Sequence, residues 1–159
     1  MAQAYQKGFN VRAYGILVND VEGLGPSVLL SHEFYDGPEI RKFPGGGLEF
    51  RESPGNTVVR EFEEEVGVKV ELGNFHYTSP NFYSSYFRPM QLIALYWQVS
   101  CSEEIHLPQE PVPIAEGRMR MQQLYWQPLS SFEPDKFNNG ADKEAGLHLL
   151  HLAAKAPFW

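Results

Sequence analysis

The sequence lacks most of the features that mark secreted, membrane-bound or nucleic-acid-binding proteins. Cys101 is the only cysteine, so no internal disulfide can form and a reducing compartment, the cytoplasm, is expected. The first residues, MAQAYQKGFNVRAYG, lack the apolar run of a signal peptide, and no stretch approaches transmembrane length. A net charge of −7 argues against stable binding to nucleic acid or to an anionic membrane surface. Internal repeats and low-complexity segments are absent from the sequence.

What the sequence does contain is the composition of an ordinary globular protein. Of its 159 residues, 43% are hydrophobic and 14% are aromatic. A chain of this length can bury a proper core, and it suits one domain over residues 1–159.

Strand-like and helix-like segments follow each other along this domain. Apolar runs bounded by turn residues predict strands at 9–18, 27–34, 40–43, 68–72, 75–77, 91–100 and 122–127. The segment 91–100 is apolar enough for a central strand covered on both faces, and 79–86 and 107–113 are predicted loops. A helix over 142–155 closes the chain, with Leu147, Leu150 and Ala154 at core spacing. The order of elements predicts an α/β fold in which a mixed sheet lies between helices.

The segment 46–68, GGLEFRESPGNTVVREFEEEVGV, predicts a further helix with clear ends. Ser53 is a typical N-cap residue, Pro54 suits the first helical position, and Gly67 provides a C-terminal stop. The apolar residues on one arc of this helix must face a core. They are Val58, Val59, Phe62 and Val66.

Three carboxylates, Glu61, Glu64 and Glu65, occupy the neighbouring arc of the same helix. Like charges three or four residues apart destabilise a helix by about 0.2–0.5 kcal/mol per pair, and the last turns prefer cations. Arg60 can offset part of this repulsion through Glu64. A cluster without further compensation is typical of a functional site, and oxygen ligands of this kind suit Mg²⁺ or Mn²⁺. The alternative is a solvated acidic helix face.

The full spacing of the segment favours the metal site. Gly46 is followed after five residues by Glu52 and, after seven more, by the run REFEEEVGV at 60–68. This string resembles the Nudix box, Gly-x5-Glu-x7-Arg-Glu-U-x-Glu-Glu-x-Gly-U, in which U is a bulky aliphatic residue. Every polar position and both glycines match. Phe62 is aromatic where an aliphatic residue is usual, and Arg51 stands where glycine is common.

The resemblance to the Nudix family implies an α/β/α sandwich in which the box forms a loop–helix–loop. It also implies a Mg²⁺-dependent enzyme, with Mn²⁺ as an alternative ion. Such an enzyme cleaves a nucleoside diphosphate linked to another group by attack of water on phosphorus. The metal ligands implied by position are Glu61, Glu64, Glu65 and the carbonyl of Gly45. Arg60 would orient the carboxylates, and Glu52, Gly46 and Gly67 would support the box.

A general base is not fixed by the box. In many Nudix-like enzymes a glutamate from a later loop approaches the metals, and Glu116, in PIAEGRMRM before the last predicted strand, stands in that place. The alternatives are Glu103, Glu104 and Glu110 nearby, or Glu64 of the box itself.

The aromatic segment SPNFYSSY at 79–86 is a candidate substrate wall. Tyr83, among the aromatic residues there, would stack on a base, and Arg88 would reach a phosphate. The alternative is that these aromatics fill core or an interface. His148 and His151 stand three apart on the last predicted helix, but no third ligand is evident, and surface packing is favoured for them.

No subclass signature fixes the substrate. The group that cleaves ADP-ribose places a proline at a set distance beyond the box, and Pro80 and Pro89 do not stand there. We expect a diphosphohydrolase acting on a nucleotide, a nucleotide sugar or a nucleoside triphosphate, with homodimer formation as an option. The alternative is a non-catalytic Nudix-fold module that binds a nucleotide as a sensor. Degenerate modules lose box carboxylates, and all of them are present here.

Overall fold

The structure, a computed structural model, describes residues 8–86, 88–113 and 120–156. The strands are β1 (Phe9–Val21), β2 (Gly25–Phe34), β3 (Glu39–Lys42), β4 (Gly45–Gly47), β5 (Glu71–Thr78), β6 (Tyr83–Ser84), β7 (Gln91–Ser100), β8 (Val112–Pro113) and β9 (Met121–Pro128). The helices are α1 (Pro54–Glu65) and α2 (Gly140–Lys155), with short 3-10 helices at Leu129–Ser131 and Pro134–Lys136. None of the described helices is both long enough and apolar enough to span a bilayer.

The strands form one mixed sheet in the order β5-β7-β1-β2-β9-β8. Strands β1 and β7 run parallel, and every other pairing between the described strands is antiparallel. The predicted α/β fold with a mixed sheet between helices is confirmed.

The two helices cover opposite faces of the sheet. Alternate residues of β1 point to opposite sides, so they contribute to two separate cores. Ala13 and Leu17 pack in the core under α1, whereas Tyr14 and Ile16 pack in the core under α2. Helix α1 lies close to β1, since a Cβ on Gly15 would stand 2.5 Å from Cε2 of Phe62.

Strands β1 and β2 separate part of the way along their length. They pair from Val18 opposite Val28 to Val21 opposite Gly25. Over residues 12–14, β1 instead pairs with the glycine strand β4, and the far end of β2 pairs with β3. The opening between β1 and β2 is therefore lined by β3 and by the glycines that precede α1.

The predicted core face of the last helix is wrong in two of three positions. Leu147 is 51% exposed and Ala154 is exposed, while Leu150 is partly buried against the core. The buried residues of α2 include Ala145 and Leu149, which pack on the sheet. Apolar residues occur on several sides of this helix, so the periodicity allowed two faces, and close packing against the sheet selected the one with small residues.

Short strands also appear in segments that the sequence predicts as loops. The glycines of β4 pair with β1, β6 pairs with β7 within 79–86, and β8 pairs with β9 within 107–113. The predicted strands 68–72 and 75–77 are joined in one strand, β5, which begins only at Glu71, so residues 68–70 lie outside it; its register against β7 is irregular. These strands are defined by backbone hydrogen bonds to a neighbouring strand. The side-chain pattern of the segments gives little indication of this pairing.

Candidate active site

Helix α1 has the ends that the sequence predicts. The Ser53 hydroxyl accepts a hydrogen bond from the Asn56 N–H at 3.2 Å, and Pro54 occupies the first turn. Val66 ends the helix and donates its N–H to the Phe62 carbonyl, and Gly67 follows with φ of +80°. This conformation favours glycine, so the predicted stop is confirmed.

The glycine loop before α1 has no room for side chains at two positions. Gly45 has φ of +147°, and a Cβ there would overlap the backbone of β1. A Cβ on Gly46 would overlap the carboxylate of Glu61. Glu61 therefore lies directly against the backbone of the loop, which only glycine permits.

Arg60 ties the loop to the helix. Its Nε and Nη2 donate to the two oxygens of Glu52 at 2.7 and 3.0 Å, and Nη2 also donates to the Gly47 carbonyl at 3.1 Å. Glu52 in turn accepts from the Glu49 N–H at 3.0 Å and the Thr57 hydroxyl at 2.7 Å. The hydrogen bonds from Arg60 are the largest cause that lowers the pKa of Glu52, to about 2. Glu52 therefore remains a charged brace under the loop at neutral pH.

The predicted lack of compensation for the carboxylates is wrong. Arg60 Nη1 lies 3.1 Å from Glu61 and 3.3 Å from Glu64. Lys42, from β3, lies 3.3 Å from Glu65 and donates to the Gly45 carbonyl at 2.6 Å. Lys42 and Glu65 are distant in sequence, so the helix pattern could not reveal their contact.

Lys42 is a buried cation between two buried carboxylates. Its ammonium also lies 3.0 Å from Glu33, and the side chains of Lys42, Glu33 and Glu65 are 5%, 2% and 8% exposed. Burial favours neutral Lys42, but the charges of Glu65 and Glu33 outweigh it and raise the pKa of the lysine. Burial opposes ionisation of Glu33 too, yet Lys42 and Arg120 lower its pKa to about 2. For Glu65 burial dominates and raises the pKa. The negative charge of Glu65 is thus less stable than that of Glu33.

The predicted metal ligands border one cavity of about 250 Å³, which we call the carboxylate cavity. Glu61, Glu64 and Glu65 line it from α1, and the glycines of β4 line it from the other side. These donors are all oxygen atoms, which suit a hard divalent cation. Among the described residues, however, no three acidic, histidine or cysteine side chains converge closely enough to hold a metal. The donors fit the ion in kind, and in this structure their carboxylates are paired with Arg60 and Lys42.

A second cavity, of about 360 Å³, adjoins the first at the opening between β1 and β2. We call it the basic cavity because four cationic side chains border it against two carboxylates. The cations are Arg12, Lys42, Arg88 and Arg120, and the carboxylates are Glu33 and Asp142. Arg12 and Arg120 also line the carboxylate cavity. The two cavities therefore meet along these arginines.

Asp142, in the first turn of α2, borders the basic cavity although it is only 3% exposed. Its Oδ1 accepts a hydrogen bond from the Tyr96 hydroxyl at 2.7 Å. Burial raises the pKa of Asp142 to about 6, against the lowering effect of that hydrogen bond. A nearly buried carboxyl that titrates near neutral pH thus faces the site.

The structure separates the two predicted substrate-binding residues. Arg88 and the neighbouring Tyr86 line the basic cavity. Tyr83 lines a different cavity beside α2, where its ring packs on Gly140 and its hydroxyl donates to Glu144 at 2.9 Å.

The candidates for the general base are placed unequally. Glu116 lies outside the described residues, but Arg120, the first described residue after that segment, borders both cavities. Glu103, Glu104 and Glu110 border neither cavity, and Glu103 accepts a hydrogen bond from the Lys69 N–H at 2.7 Å. Glu64 lines the carboxylate cavity.

Sequence reasoning missed several charged residues of the site. They are Arg12, Glu33, Lys42, Arg120 and Asp142. A signal was present for Glu33 and Lys42, because both stand inside segments predicted as strands. A charge at a buried strand position must be paired, and such a position therefore indicates a partner elsewhere in the chain.

Comparisons with known proteins agree with this architecture. A sequence model of the NUDIX domain matches residues 9–145. The MutT protein from Methanosarcina mazei superposes with a TM-score of 0.67 at 16% identity, covering 96% of this chain and 99% of that one. An Ap4A hydrolase from C. elegans gives 0.63 at 20% identity, covering 94% and 99%. An ADP-ribose pyrophosphatase from Streptococcus suis gives 0.59 at 15% identity, covering 94% and 95%. No curated protein matches the sequence.

Proposed function

Because the chain belongs to the NUDIX domain family of hydrolases, we propose that it cleaves a nucleoside diphosphate linked to another group, by attack of water on phosphorus. The observation that carries the proposal is the pair of adjoining cavities. One presents the box carboxylates and the other presents cations, with Arg12 and Arg120 between them. A diphosphate across this junction would have a site for a cation on one side and arginine donors on the other.

The ion that we propose is Mg²⁺, with Mn²⁺ as an alternative. Glu61, Glu64 and Glu65 would hold it, and the Gly45 carbonyl could contribute only through a lone pair that Lys42 leaves free. When bound, such an ion neutralises phosphate charge and polarises the phosphorus–oxygen bonds. The ion would add to the charge compensation that Arg60 and Lys42 already give these carboxylates.

The other groups of the site would orient the substrate. Arg12 and Arg120 would donate to phosphate oxygens at the cavity junction, since guanidinium groups match phosphate in geometry. Arg60 and Glu52 would hold the loop and the helix in register, as their hydrogen bonds indicate. Glu116 would take the proton from the attacking water, and Glu64 is the alternative base.

The relatives widen the range of substrates to be tested. Solved structures with this fold include proteins described as an ADP-ribose pyrophosphatase, a UDP-X diphosphatase and an Ap4A hydrolase. We propose a substrate of this general class, a nucleotide, nucleotide sugar or nucleoside triphosphate, for the present chain. We also propose that it acts in the cytoplasm, because its lone cysteine suits a reducing compartment. The predicted homodimer stays a prediction.

The experiment that tests the function is a substrate screen with Mg²⁺, in which the nucleotide products are separated by ion-exchange chromatography and measured directly. Nucleoside triphosphates, nucleotide sugars, dinucleoside polyphosphates and ADP-ribose form the panel. We expect turnover that EDTA abolishes and that added Mg²⁺ or Mn²⁺ restores. Full activity in chelator would remove the metal from the proposal. Binding of a nucleotide without turnover of any substrate would favour a sensor module instead.

The assignment of the base has its own test. If Glu116 takes the proton, Glu116→Gln should lower kcat strongly with little change in KM, and should flatten the acid limb of the pH–rate profile. Matched Glu103→Gln and Glu110→Gln variants should do neither. If Glu116→Gln keeps near wild-type turnover and its acid limb, the base is Glu64.

A further inference from the structure

The basic cavity has a charge that does not match the rest of the molecule. The chain as a whole carries a net charge of −7, yet this cavity is lined by four cationic side chains and two acidic ones. A local excess of positive charge in an acidic protein is not needed for solubility, and it raises the local concentration of anions.

Internal ion pairs use only part of this positive charge. Lys42 lies 3.0 Å and Arg120 lies 2.7 Å from Glu33, so these three residues satisfy one another. Asp142 accepts from Tyr96 and forms no ion pair with a described cation within 4.0 Å. In the ranges that the structure describes, Arg12 and Arg88 likewise have no carboxylate within that distance.

Arg12 is held in place while its terminal donors stay available. Its Nε donates to the Tyr14 hydroxyl at 2.7 Å, which fixes the plane of the guanidinium group. No hydrogen bond joins its Nη atoms to an acceptor in the described part of the chain, and one of them would stand 3.7 Å from a Cβ on Gly47. Arg12 therefore presents a fork of donors to both cavities, as a phosphate site requires.

Arg88 lines only one of the two cavities, whereas Arg12 lines both. The side chain of Arg88 is also exposed. Arg12 at the junction can serve the diphosphate itself, whereas Arg88 lines only the basic cavity. Arg88 is therefore placed to bind an anion that lies within the basic cavity, outside the junction of the two cavities.

We propose that the basic cavity is a subsite for a second anionic group, a phosphate or a carboxylate, carried by the part of the substrate that extends away from the cleaved diphosphate. Arg88 is its specificity-determining residue, and Arg12 holds the group that links it to the diphosphate. The orientation of the substrate rests on the proposed function, whereas the anion site does not. A cavity of about 360 Å³ lies within the usual range for small-ligand sites of roughly 300–1,000 Å³.

The test uses probes that differ in one anionic group and contain no diphosphate to cleave. On a sugar scaffold the probes are glucose 1-phosphate, glucuronic acid 1-phosphate and glucose 1,6-bisphosphate. On a nucleoside scaffold they are AMP and adenosine 3′,5′-bisphosphate. Dissociation constants are measured by calorimetry in EDTA, so neither a metal ion nor turnover enters the result. The separate arms distinguish a carboxylate from a phosphate and a sugar from a nucleoside.

We expect the probe with the additional anion to bind about tenfold more tightly on at least one scaffold, the gain typical of a charged hydrogen bond. Arg88→Gln should remove most of this preference, so that the parent probe and the charged probe bind with nearly equal affinity. Arg12→Gln should weaken parent and charged probes alike. Arg41→Gln, a neighbouring arginine that does not line the basic cavity, should behave like the wild type.

Equal affinities within every probe pair, or a preference that survives in Arg88→Gln, would overturn the proposal. Arg88 is exposed, so its replacement leaves folding intact, and an unchanged melting temperature checks this. A preference that depends on Arg88, in a protein that hydrolyses no substrate of the screen, would support the subsite and reject the hydrolase. Turnover in the screen without any preference would do the reverse.

Discussion

At the scale of single residues, Lys42, on β3, connects β2 and the glycine loop with the box helix. Its ammonium contacts Glu33, Glu65 and the Gly45 carbonyl, and the side chains of Lys42, Glu33 and Glu65 are buried. Removal of one partner from a buried ion pair leaves charge without compensation, which is costly even where the intact pair contributes little.

We therefore predict that Lys42→Met lowers the free energy of unfolding by about 3–5 kcal/mol, the range for broken buried pairs. Urea denaturation at pH 7 measures this change. Lys143→Met serves as the control, because Lys143 is about half exposed and its pair with Asp135 at 2.6 Å lies at the surface. Exposed pairs contribute about 0–1 kcal/mol, so equal losses in the two variants would contradict the prediction.

Loss of the Lys42 charge is predicted to destabilise the protein, whereas loss of the Asp142 charge is predicted to stabilise it near neutral pH. Burial raises its pKa to about 6, from 3.8 for an unperturbed aspartate. The folded pKa lies above the unfolded one, so the folded state binds the proton more tightly. The stabilising contribution of this proton is complete below about pH 3.8 and is lost as the pH rises through 6. Above pH 6 the buried negative charge destabilises the fold.

The consequence is that Asp142→Asn should stabilise the protein at pH 8 by about 1–3 kcal/mol and have little effect at pH 4. An asparagine oxygen can still accept the hydrogen bond from Tyr96. Melting temperatures of variant and wild type at both pH values give the comparison, with exposed Asp36→Asn as the control. A variant that is destabilised at pH 8 would show that the charge is better compensated than its burial indicates.

At the scale of elements, the site depends on the contact between the glycine loop and α1. Arg60 and Glu52 join them by hydrogen bonds, and Glu61 fills the space beside Gly46 that a side chain would need. The ends of α1 follow from local chemistry, but the position of its carboxylates follows from this contact.

Gly46→Ala should accordingly displace Glu61 and lower both metal affinity and kcat by at least about tenfold, the effect typical of losing one positioned charged contact. Gly47→Ala is the matched comparison, since its Cβ would meet no atom closer than 3.7 Å. We expect a clearly smaller effect there. Calorimetry with Mn²⁺ and steady-state kinetics measure the two effects, and equal losses would show that the loop tolerates no added carbon at either position.

At the scale of the whole molecule, the site exists because β1 and β2 pair only near their connecting turn. Beyond that turn β1 takes β4 as its partner and β2 takes β3, and the two cavities lie in the space between. A cation bound in the carboxylate cavity would contact residues from the helix and the loop at once, so its binding is coupled to global stability.

We predict that saturating Mg²⁺ raises the melting temperature of the wild type. A ligand at about 100 times its dissociation constant stabilises the folded state by about 2.7 kcal/mol, which corresponds to roughly 5–10 °C for a domain of this size. Thermal unfolding with Mg²⁺ and with EDTA provides the measurement. Glu61→Gln should lose most of the increase, whereas Glu71→Gln, exposed on β5, should retain it. The same increase in both variants would place the ion elsewhere.

Local chemistry in the sequence determined the family and the box helix, and the order of the predicted elements indicated the mixed sheet. The helix begins at Ser53 and Pro54, where the Ser53 side chain accepts a backbone N–H, and it ends before Gly67, which has a positive φ. The resemblance to the family rests on the spacing from Gly46 to Val68. These features act within a few turns of chain, so the order of residues is sufficient to predict them.

Contacts between distant residues were decided by the tertiary structure alone. The neutralisation of Glu65 by Lys42 and the pairing of Glu33 with Arg120 join segments 23 and 87 residues apart. The core face of α2 depended on which side of an apolar helix could approach the sheet, and Leu147 remained outside. Periodicity reports which faces of an element are apolar, but only packing determines which face is covered and which charges meet, because both depend on contacts between segments that are distant in the chain.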